Sequence, residues 1–372
     1  MIQQERLVQT FLELVQLDSE SKNERAVADY TAAKLQAWGY DVREDDAGAS
    51  FGGNAGNIIA YKAGSGAGRS LLFCAHMDTV VPGNGVKPIV DGDIIRSDGT
   101  TVLGGDDKAG IAAILEAATA LEEAGISHGP VQIIFTAAEE IGLLGAKYVE
   151  ADKLPAIDAA FFFDSDGLPS EICVASPYHI DLTVTFKGRA AHAGVEPEKG
   201  ISAIQMAATA IANMKLGRLD EESTANIGMI QGGRATNIVT DETVIYGEAR
   251  SLNKTKVDSQ IAHMIQCCRE AAEQFGGQAE VKVDECYAAI DLSPDSATVQ
   301  LACAAVRRLG LEPKLVKSGG GSDANVFCGK GIPAANLGVG MTKVHTEEEF
   351  LQISQMKAGA DFVLAVIEEA RA

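Results

Sequence analysis

Histidines and carboxylates recur where the apolar runs of this sequence end. They come after runs such as SLLFCA, VQIIFTAA and AAFFF, which are typical of buried β-strands. These polar positions are His76, Asp78, Glu139, Glu140, Asp164 and, after a short loop, His345; between them Asp106 and Asp107 come just before a predicted helix. Because functional groups of an open parallel sheet gather beyond the carboxyl ends of its strands, we expect these side chains to converge on one sheet edge. A set of His, Asp and Glu without Cys suits zinc, manganese or cobalt, so the pattern predicts a divalent-metal site.

Each of these residues also has an ordinary structural interpretation. His76 could be a hydrogen-bonded core histidine, and Asp106 or Asp107 could cap the helix that begins after them. Asp164 could close a turn at its strand end, and His345 could lie on the surface. Their joint occurrence at successive strand ends favours a metal site, because buried carboxylates cost several kcal/mol unless cations neutralise them.

Spacing permits one further contact and leaves the choice between two aspartates open. Residues i and i+2 share one face of a strand, so Asp78 can reach a ring nitrogen of His76 and fix its tautomer. Spacing does not distinguish Asp106 from its neighbour Asp107.

The elements that must position these residues alternate along the first part of the chain. Helices are predicted over 3–17, from a capping box at 21–24 to residue 39, over 109–125 and over 144–150. Strands are predicted over 57–61, 70–74, 131–135 and 159–164. The pattern resumes late in the chain with helices 296–309 and 354–370 and strands 314–316 and 334–339. Apolar strands alternating with helices predict an α/β fold with a mostly parallel mixed sheet flanked by helices.

Between these parts the pattern changes to β-α-β-β-α-β. HIDLTVTFKG, ANIGMIQGG, TVIYGEARS and AEVKVDECY are typical of strands, and helices are predicted over 201–216 and 257–275. This order is the split βαβ arrangement. We therefore expect a ferredoxin-like α+β domain over residues 179–288, inserted in a discontinuous domain of residues 1–178 and 289–372.

Composition excludes some classes of partner. The net charge of −21, from 52 acidic and 31 basic residues, argues against nucleic acid or an anionic membrane surface. The seven cysteines form no C-x-x-C pair and are predicted to be small buried hydrophobic residues of a reducing compartment. The first residues predict an amphipathic helix without the apolar core of a signal peptide, and no stretch approaches a membrane span. We expect a cytoplasmic protein.

The chain contains, in this order, the segments FCAHMDTV, DGTTVLGGDDKAGIAA, TAAEEIGLLGA, FFFDSDG and VHTEEEF. In these segments it resembles the M20 co-catalytic metallopeptidases, and among them the peptidase T-like tripeptide aminopeptidases. The resemblance covers essentially the whole chain. It implies a zinc-dependent exopeptidase type of fold for the discontinuous domain, and a lid and dimerisation role for the inserted domain.

The resemblance also implies a pair of divalent metal ions. His76 and Asp164 would bind one ion, and Glu140 and His345 the other. Asp106, the first residue of its pair, would bridge both ions and precede a cis peptide bond. Zinc is the expected metal, with cobalt and manganese as alternatives. The glycine-rich segment 318–327 lacks the ending of a phosphate loop; it is predicted to be a flexible connection, which the resemblance places near the metals.

Catalytic and substrate-binding roles are implied by the same resemblance. Glu139 would be the general base for the water between the metals, and Asp78 would orient the metal-binding histidine of its strand. In the inserted domain, His192 would steady the oxyanion, and Asn237 and Arg250 would hold the carboxyl or carbonyl end of the substrate. From the residues alone, His192 could be a loop histidine, Asn237 a turn residue and Arg250 part of a surface ion pair.

The resemblance implies a metallo-exopeptidase that releases the N-terminal residue of a di- or tripeptide. An N-acyl-amino-acid amidohydrolase, a carbamoylase or a carboxypeptidase would use the same machinery, so these remain alternatives. A non-catalytic metal-binding protein is disfavoured because the base and all five implied ligands are present. A homodimer through the inserted domain is expected, because its sheet should leave an edge strand exposed.

Overall fold

The computed structural model describes residues 1–371. The chain forms two compact units: the first comprises Met1–Ala175 and the chain from Ile290, and the second comprises Ser176–Ala289. The strands are β1 Asp41–Glu44, β2 Ile58–Lys62, β3 Leu71–His76, β4 Ile89–Asp91, β5 Ile94–Arg96, β6 Val131–Thr136, β7 Ala159–Ser165, β8 Glu171–Ser176, β9 Tyr178–Lys187, β10 Ala191–His192, β11 Gly217–Arg218, β12 Ser223–Gly232, β13 Ile238–Val239, β14 Glu242–Ser251, β15 Gln278–Tyr287, β16 Ile290–Asp291, β17 Lys314–Lys317, β18 Ala334–Gly338, β19 Met341–Thr342 and β20 Phe350–Gln352. The α-helices are α1 Gln4–Val15, α2 Arg25–Ala37, α3 Ala47–Phe51, α4 Gly105–Ala124, α5 Leu144–Tyr148, α6 Ala203–Asn213, α7 Lys254–Phe275, α8 Ala297–Arg308, α9 Asp323–Gly329 and α10 Ile353–Glu369.

The first unit is built on a nine-stranded sheet. Its strand order is β1-β2-β6-β3-β7-β18-β8-β16, and β17 pairs with β8. The central pairs β6/β3, β3/β7 and β7/β18 are parallel, whereas β1/β2, β2/β6 and β18/β8 are antiparallel. Every residue of β3 and β6 is buried, as expected for parallel strands covered by helices on both faces. The predicted mostly parallel mixed α/β sheet is confirmed.

Helix α4, which begins with the predicted site residues Asp106 and Asp107, is deeply packed in the first unit. It contacts β3, β7, α1 and α10, and most of its residues are buried. Its many alanines allow this close packing because they have little side-chain volume. Nearby, Phe73 stacks on Phe161 at 6.0 Å between ring centroids, and Phe362 of α10 meets Phe161 edge to face at 5.8 Å. This core holds β3 and β7, whose ends carry candidate site residues.

A small sheet that the sequence pattern does not predict positions one candidate histidine. Its four strands have the order β19-β20-β5-β4. His345 lies in the loop between β19 and β20, with a left-handed backbone at φ 63°. The antiparallel pairing of β19 with β20 therefore anchors both ends of the loop that carries His345.

Two local predictions are wrong. The capping box at 21–24 does not form, because α2 begins at Arg25 without a side-chain cap. Ser21 donates its hydrogen bond to Asp78 instead, at 2.6 Å. The segment 318–327 is not only a flexible connection, because helix α9 begins within it at Asp323. Asn325 fixes this helix start by accepting a hydrogen bond from the backbone N–H of Ser322 at 3.0 Å.

The second unit contains a five-stranded antiparallel sheet of order β11-β12-β14-β9-β15. Its four long strands and two helices have the chain order β9-α6-β12-β14-α7-β15, which is the split βαβ arrangement. Buried and half-buried residues alternate along β9, as expected when helices cover one face of a sheet. Helices α6 and α7 pack against each other and against β9 and β14.

The prediction of buried cysteines is confirmed for five of the seven, whereas Cys286 and Cys328 are half-buried. None of the cysteines, which all lie among the described residues, forms a disulfide. Five of them are buried: Cys74, Cys173, Cys267, Cys268 and Cys303. Within residues 1–371, no helix is both long enough and apolar enough to cross a membrane.

Candidate metal centre

The predicted site residues of the first unit meet at the carboxyl edge of its parallel strands. Strands β6, β3 and β7 are neighbours and parallel, so their ends lie side by side. The residues at these ends are His76 in β3, Asp78 just after it, Glu139 and Glu140 after β6, and Asp164 in β7. Asp106 joins them from the start of α4, and His345 from the β19–β20 loop.

Asp106 lies between two histidines, with one carboxylate oxygen directed to each. Its Oδ1 atom is 3.1 Å from Nε2 of His76, and its Oδ2 atom is 3.2 Å from Nε2 of His345. Nε2 of His345 is also 3.0 Å from Oε2 of Glu140. This arrangement is suited to a carboxylate shared by two cations, one beside each imidazole.

The ring of His76 is oriented by its backbone neighbour. Its Nδ1 atom lies 3.0 Å from the carbonyl oxygen of Asp78. Because a carbonyl oxygen only accepts hydrogen bonds, Nδ1 carries the proton in this contact. In the neutral ring Nε2 then presents its lone pair towards Asp106, which is the form of histidine that binds metals.

Two groups of side chains have ligand atoms close enough to hold a metal ion. The ligand atoms of His76, Asp106 and Glu140 lie within 4.8 Å of one another, and so do those of His76, Glu139 and Asp164. Both groups include His76, so they adjoin. Oε1 of Glu140 is buried and has no hydrogen-bond partner among the described residues. A buried acceptor without a donor is costly unless a cation occupies its free side, so the donor set fits divalent metals.

The structure distinguishes the two adjacent aspartates that spacing could not. Asp107 is fully buried and its carboxylate binds backbone: Oδ1 accepts from Gly110 N–H at 3.2 Å, and Oδ2 accepts from His76 N–H at 3.3 Å. Only Asp106 of the pair faces both histidines. The peptide bond between the two aspartates is cis.

Asp78 connects three parts of the site. Its Oδ1 atom is 3.4 Å from Nδ1 of His76 and accepts the backbone N–H of Glu139 at 2.9 Å. Its Oδ2 atom accepts the backbone N–H of Glu140 at 3.2 Å and the hydroxyl of Ser21 at 2.6 Å. Asp78 therefore fixes the backbone from which both glutamates project, in addition to contacting the histidine.

We expect Asp78→Asn to lower metal affinity or kcat/KM by roughly 10- to 100-fold, as loss of a partner behind a metal ligand typically does. The amide has one oxygen, so it cannot serve both glutamate N–H groups and Ser21. Metal content and peptide hydrolysis measured on the same preparation test this. Ser21→Ala is the matched control, since it removes one hydrogen bond and keeps the carboxylate. An Asp78→Asn enzyme indistinguishable from Ser21→Ala would contradict the expectation.

Two further glutamates, which the sequence analysis missed, hold site backbone. Glu349 is buried; its Oε2 accepts from Gly104 N–H at 2.8 Å and its Oε1 from Asp106 N–H at 3.0 Å. Glu24 is buried and accepts from Ala138 N–H at 3.0 Å. Glu349 lies in the segment VHTEEEF, but its sequence neighbours give no sign of this role, because its partners are far away in the chain.

Asp323 is a third acidic residue that the sequence analysis missed. It is buried at the start of α9, and its Oδ2 accepts the hydroxyl of Thr136 at 2.5 Å. Its Oδ1 has no hydrogen-bond partner among the described residues. Burial raises the pKa of Asp323 to about 6. The carboxyl lies behind the end of β6, the strand that leads to the paired glutamates.

The charges of the cluster are unbalanced. Burial and then the nearby carboxylates raise the pKa of Glu139 and of Asp164 well above the usual range of carboxyl groups. Hydrogen bonds to Asp106 and Glu140 raise the pKa of His345 to about 10. Both effects reflect an excess of buried negative charge, which divalent cations would neutralise.

The predicted residues of the second unit lie in or beside two of its sheets. His192 is in β10, which pairs with β13, and Ala193 donates its N–H to the carbonyl of Asn237 at 2.9 Å. Asn237 lies in the turn just before β13, so this bond places it beside the small ladder that contains His192. Arg250 lies on β14, where its guanidinium donates to Glu248 from Nε at 3.2 Å and from Nη2 at 2.9 Å.

Residues 72–369, which contain every candidate of the first unit from His76 to His345, match peptidase family M20/M25/M40. The chain belongs to this family. The resemblance seen in its five sequence segments is thereby confirmed, and the protein is a hydrolase that acts on peptide bonds.

Three similar proteins match this M20 peptidase from end to end. The uncharacterised protein YqjE of Bacillus subtilis (strain 168) is 46% identical over 370 residues, which cover 100% of both chains. The crystal structure of aminopeptidase PepT from Bacillus cereus ATCC 10987 is 45% identical, with a TM-score of 0.92. The crystal structure of a tripeptidase from Staphylococcus aureus is 41% identical, with a TM-score of 0.95. Both structures cover 100% of this chain and are covered to 100% by it.

Proposed function

We propose that this M20 peptidase is a dinuclear metal aminopeptidase that removes the N-terminal residue of di- or tripeptides. The observation that carries the proposal is Asp106, whose two oxygens each face the Nε2 atom of a different histidine. The substrate class is supported by full-length similarity to an aminopeptidase PepT and to a tripeptidase, at 45% and 41% identity.

The proposed ligands are divided between two ions. His76 and Asp164 would hold the first ion, Glu140 and His345 would hold the second, and Asp106 would contribute to both. The short contacts of Asp106 with both histidines and of His345 with Glu140 support this division. Zinc suits a set of imidazoles and carboxylates, and cobalt or manganese can occupy the same kind of site.

The metals, when bound, polarise the scissile carbonyl and lower the pKa of water. Glu139 accepts a proton from the attacking water and returns it to the leaving amine. Its burial supports this role, because a desolvated carboxylate holds a proton more readily than an exposed one, which raises the pKa of Glu139. Asp78 keeps Glu139 in place by accepting its backbone N–H, and it keeps the His76 ring in one orientation.

The second unit supplies the proposed substrate contacts. His192 stabilises the oxyanion, and Asn237 and Arg250 bind the carboxyl or carbonyl end of the peptide. The exposure of His192 and the position of Asn237 beside its ladder support a shared task for the two side chains. The guanidinium of Arg250 has the planar donor fork that suits a carboxylate.

We further propose residues 1–178 and 289–372 as the catalytic domain and 179–288 as a lid and dimerisation domain. All proposed metal ligands lie in the first of these. A homodimer is supported by β15, an edge strand of the second unit whose residues are mostly exposed and could pair with a second copy. A cytoplasmic location is supported by cysteines that form no disulfide.

The substrate proposal is tested with one tripeptide in two forms, with a free and with an acetylated N-terminus, in the presence of zinc, cobalt or manganese. We expect release of the first residue from the free peptide, and loss of cleavage on acetylation. N-acyl and N-carbamoyl amino acids serve as the comparison substrates. Cleavage of those compounds without cleavage of free di- and tripeptides would overturn the aminopeptidase proposal and retain the metal hydrolase.

A further inference from the structure

We propose that the second unit binds a divalent cation of its own, of the zinc type, through His179, Asp181 and Cys286. Ligand atoms of these three side chains lie within 4.8 Å of one another. The set is distinct from the proposed catalytic ligands, none of which lies in the second unit or is a cysteine. The inference does not depend on which peptide the enzyme cleaves.

His179 is the centre of the proposed site. Its Nε2 atom lies 3.0 Å from Oδ1 of Asp181 and 3.0 Å from Oε2 of Glu248. Nε2 is nevertheless buried without a hydrogen bond among the described residues, so neither oxygen lies in the direction that a ring N–H requires. A ring nitrogen without a hydrogen bond and a carboxylate oxygen of Asp181 at this distance can serve as two ligands of one cation.

The separations are compatible with zinc. Zinc–nitrogen and zinc–oxygen bonds of about 2.0–2.2 Å place tetrahedral ligand atoms about 3.3–3.6 Å apart. The 3.0 Å between His179 and Asp181 needs only a small side-chain adjustment to reach this spacing. In the proposed catalytic centre the corresponding contacts between imidazole and carboxylate are 3.0–3.2 Å, which is the same range.

A β-bulge brings the cysteine into the group. Strand β15 pairs with β9 so that Glu285 opposes Ile180 and Tyr287 opposes His179, which leaves Cys286 as the extra residue between them. Bulges redirect side chains and commonly occur next to functional sites. The Sγ atom of Cys286 is 3.6 Å from the carbonyl oxygen of Asp284, so the thiol stays at the sheet surface near its own strand.

Charge explains why Glu248 is left out of the ligand set. Its carboxylate receives two hydrogen bonds from Arg250, so the guanidinium neutralises it. Asp181 and a Cys286 thiolate bring two negative charges, which balance a divalent cation with neutral His179. A thiolate ligand favours zinc over magnesium or calcium, which prefer oxygen.

The place of the site suggests its effect on the fold. His179 and Asp181 lie at the beginning of β9, and Cys286 lies at the end of β15. The chain enters the second unit at β9 and leaves it after β15, so the group joins the first strand of this unit to its last long strand. Within the described residues, β15 is an edge strand and lacks a neighbour on one side. A cation here would clamp this edge strand to β9.

Cobalt(II) bound to the full chain tests the proposal, because sulfur ligation produces a near-ultraviolet thiolate-to-cobalt charge-transfer band that imidazole and carboxylate ligation lacks. We expect the band in the wild type, together with one more bound cobalt per chain than in Cys286→Ser, which should lack the band. Cys328→Ser is the matched control: this cysteine is also half-buried, lies in the first unit, and should leave band and stoichiometry unchanged.

Asp181→Asn provides a second test, because it leaves every cysteine in place. The Asp181 side chain is 49% exposed, so the variant should fold like the wild type. We expect it to bind one cobalt fewer than the wild type. Absence of the band in the cobalt-saturated wild type, or its survival in Cys286→Ser, would overturn the proposal. Equal cobalt content in the wild type and in Asp181→Asn would do the same.

Discussion

Glu139→Gln is expected to lower kcat for peptide hydrolysis by about 10²- to 10⁴-fold, the usual contribution of a general base, while leaving the metal content unchanged. Glutamine keeps the size of the side chain but cannot accept the proton of the attacking water. The backbone N–H of residue 139 still donates to Asp78, so the local structure should persist. The measurement is steady-state kinetics on a tripeptide, paired with metal analysis of the same sample.

Glu140→Gln is the matched control for this substitution. It makes the same chemical change at the adjacent residue, whose Oε2 lies 3.0 Å from Nε2 of His345. We expect this variant to lose metal affinity, with activity partly recovered at high metal concentration. If Glu139→Gln instead lost metal, or Glu140→Gln lost activity at full metal occupancy, the division of roles between the two glutamates would be wrong.

The paired glutamates show why two like charges can be adjacent at a strand end. Neither side chain needs to share the direction of the other, because β6 has ended at Thr136 and the backbone turns. Ala138 has a left-handed φ of 52°, and Asp78 accepts the N–H groups of the next two residues. The turn thus presents one carboxylate to His345 and leaves the other for a separate role.

The strands and their polar ends could be predicted from the sequence because the signals are local. The apolar run of β6 and the alanine-rich pattern of α4 determine burial within a few residues of each position. Parallel neighbouring strands then place the residues at their carboxyl ends along one sheet edge. This is why His76 and Asp164 could be brought to the same site without a structure.

Residues that act through distant backbone groups could not be predicted in this way. The hydrogen bond from Asp106 N–H to Glu349 joins residues 243 positions apart, and the one from Thr136 to Asp323 spans 187. Ser21 is another such residue: its local pattern matches a helix cap, but Asp78, 57 positions away, is its partner. Tertiary contacts override a local preference that contributes only about 1 kcal/mol.

The Asp106–Asp107 pair gives the second large expected effect. Loss of a residue that only supports a metal ligand typically lowers metal affinity by roughly 10- to 100-fold. We expect Asp106→Asn to lower metal affinity by more than this, and to lower activity to the same extent. The reason is that Asp106 faces both histidines, so its charge is shared by both proposed ions. Metal titration monitored by the colour change of a competing chelator, alongside peptide hydrolysis, measures both quantities.

Asp107→Asn is the control, and we expect it to lose stability and not metal affinity. Asp107 accepts backbone N–H groups from Gly110 and His76, and an amide can serve only one of them. Leaving one buried N–H unpaired should lower the free energy of unfolding by about 1–3 kcal/mol, with most of the metal affinity retained. Thermal unfolding of the metal-free variants separates the two cases, because the Asp106 carboxylate faces imidazoles and not backbone N–H groups. Equal losses of metal affinity in both variants would mean that the adjacent carboxylates share the bridging role.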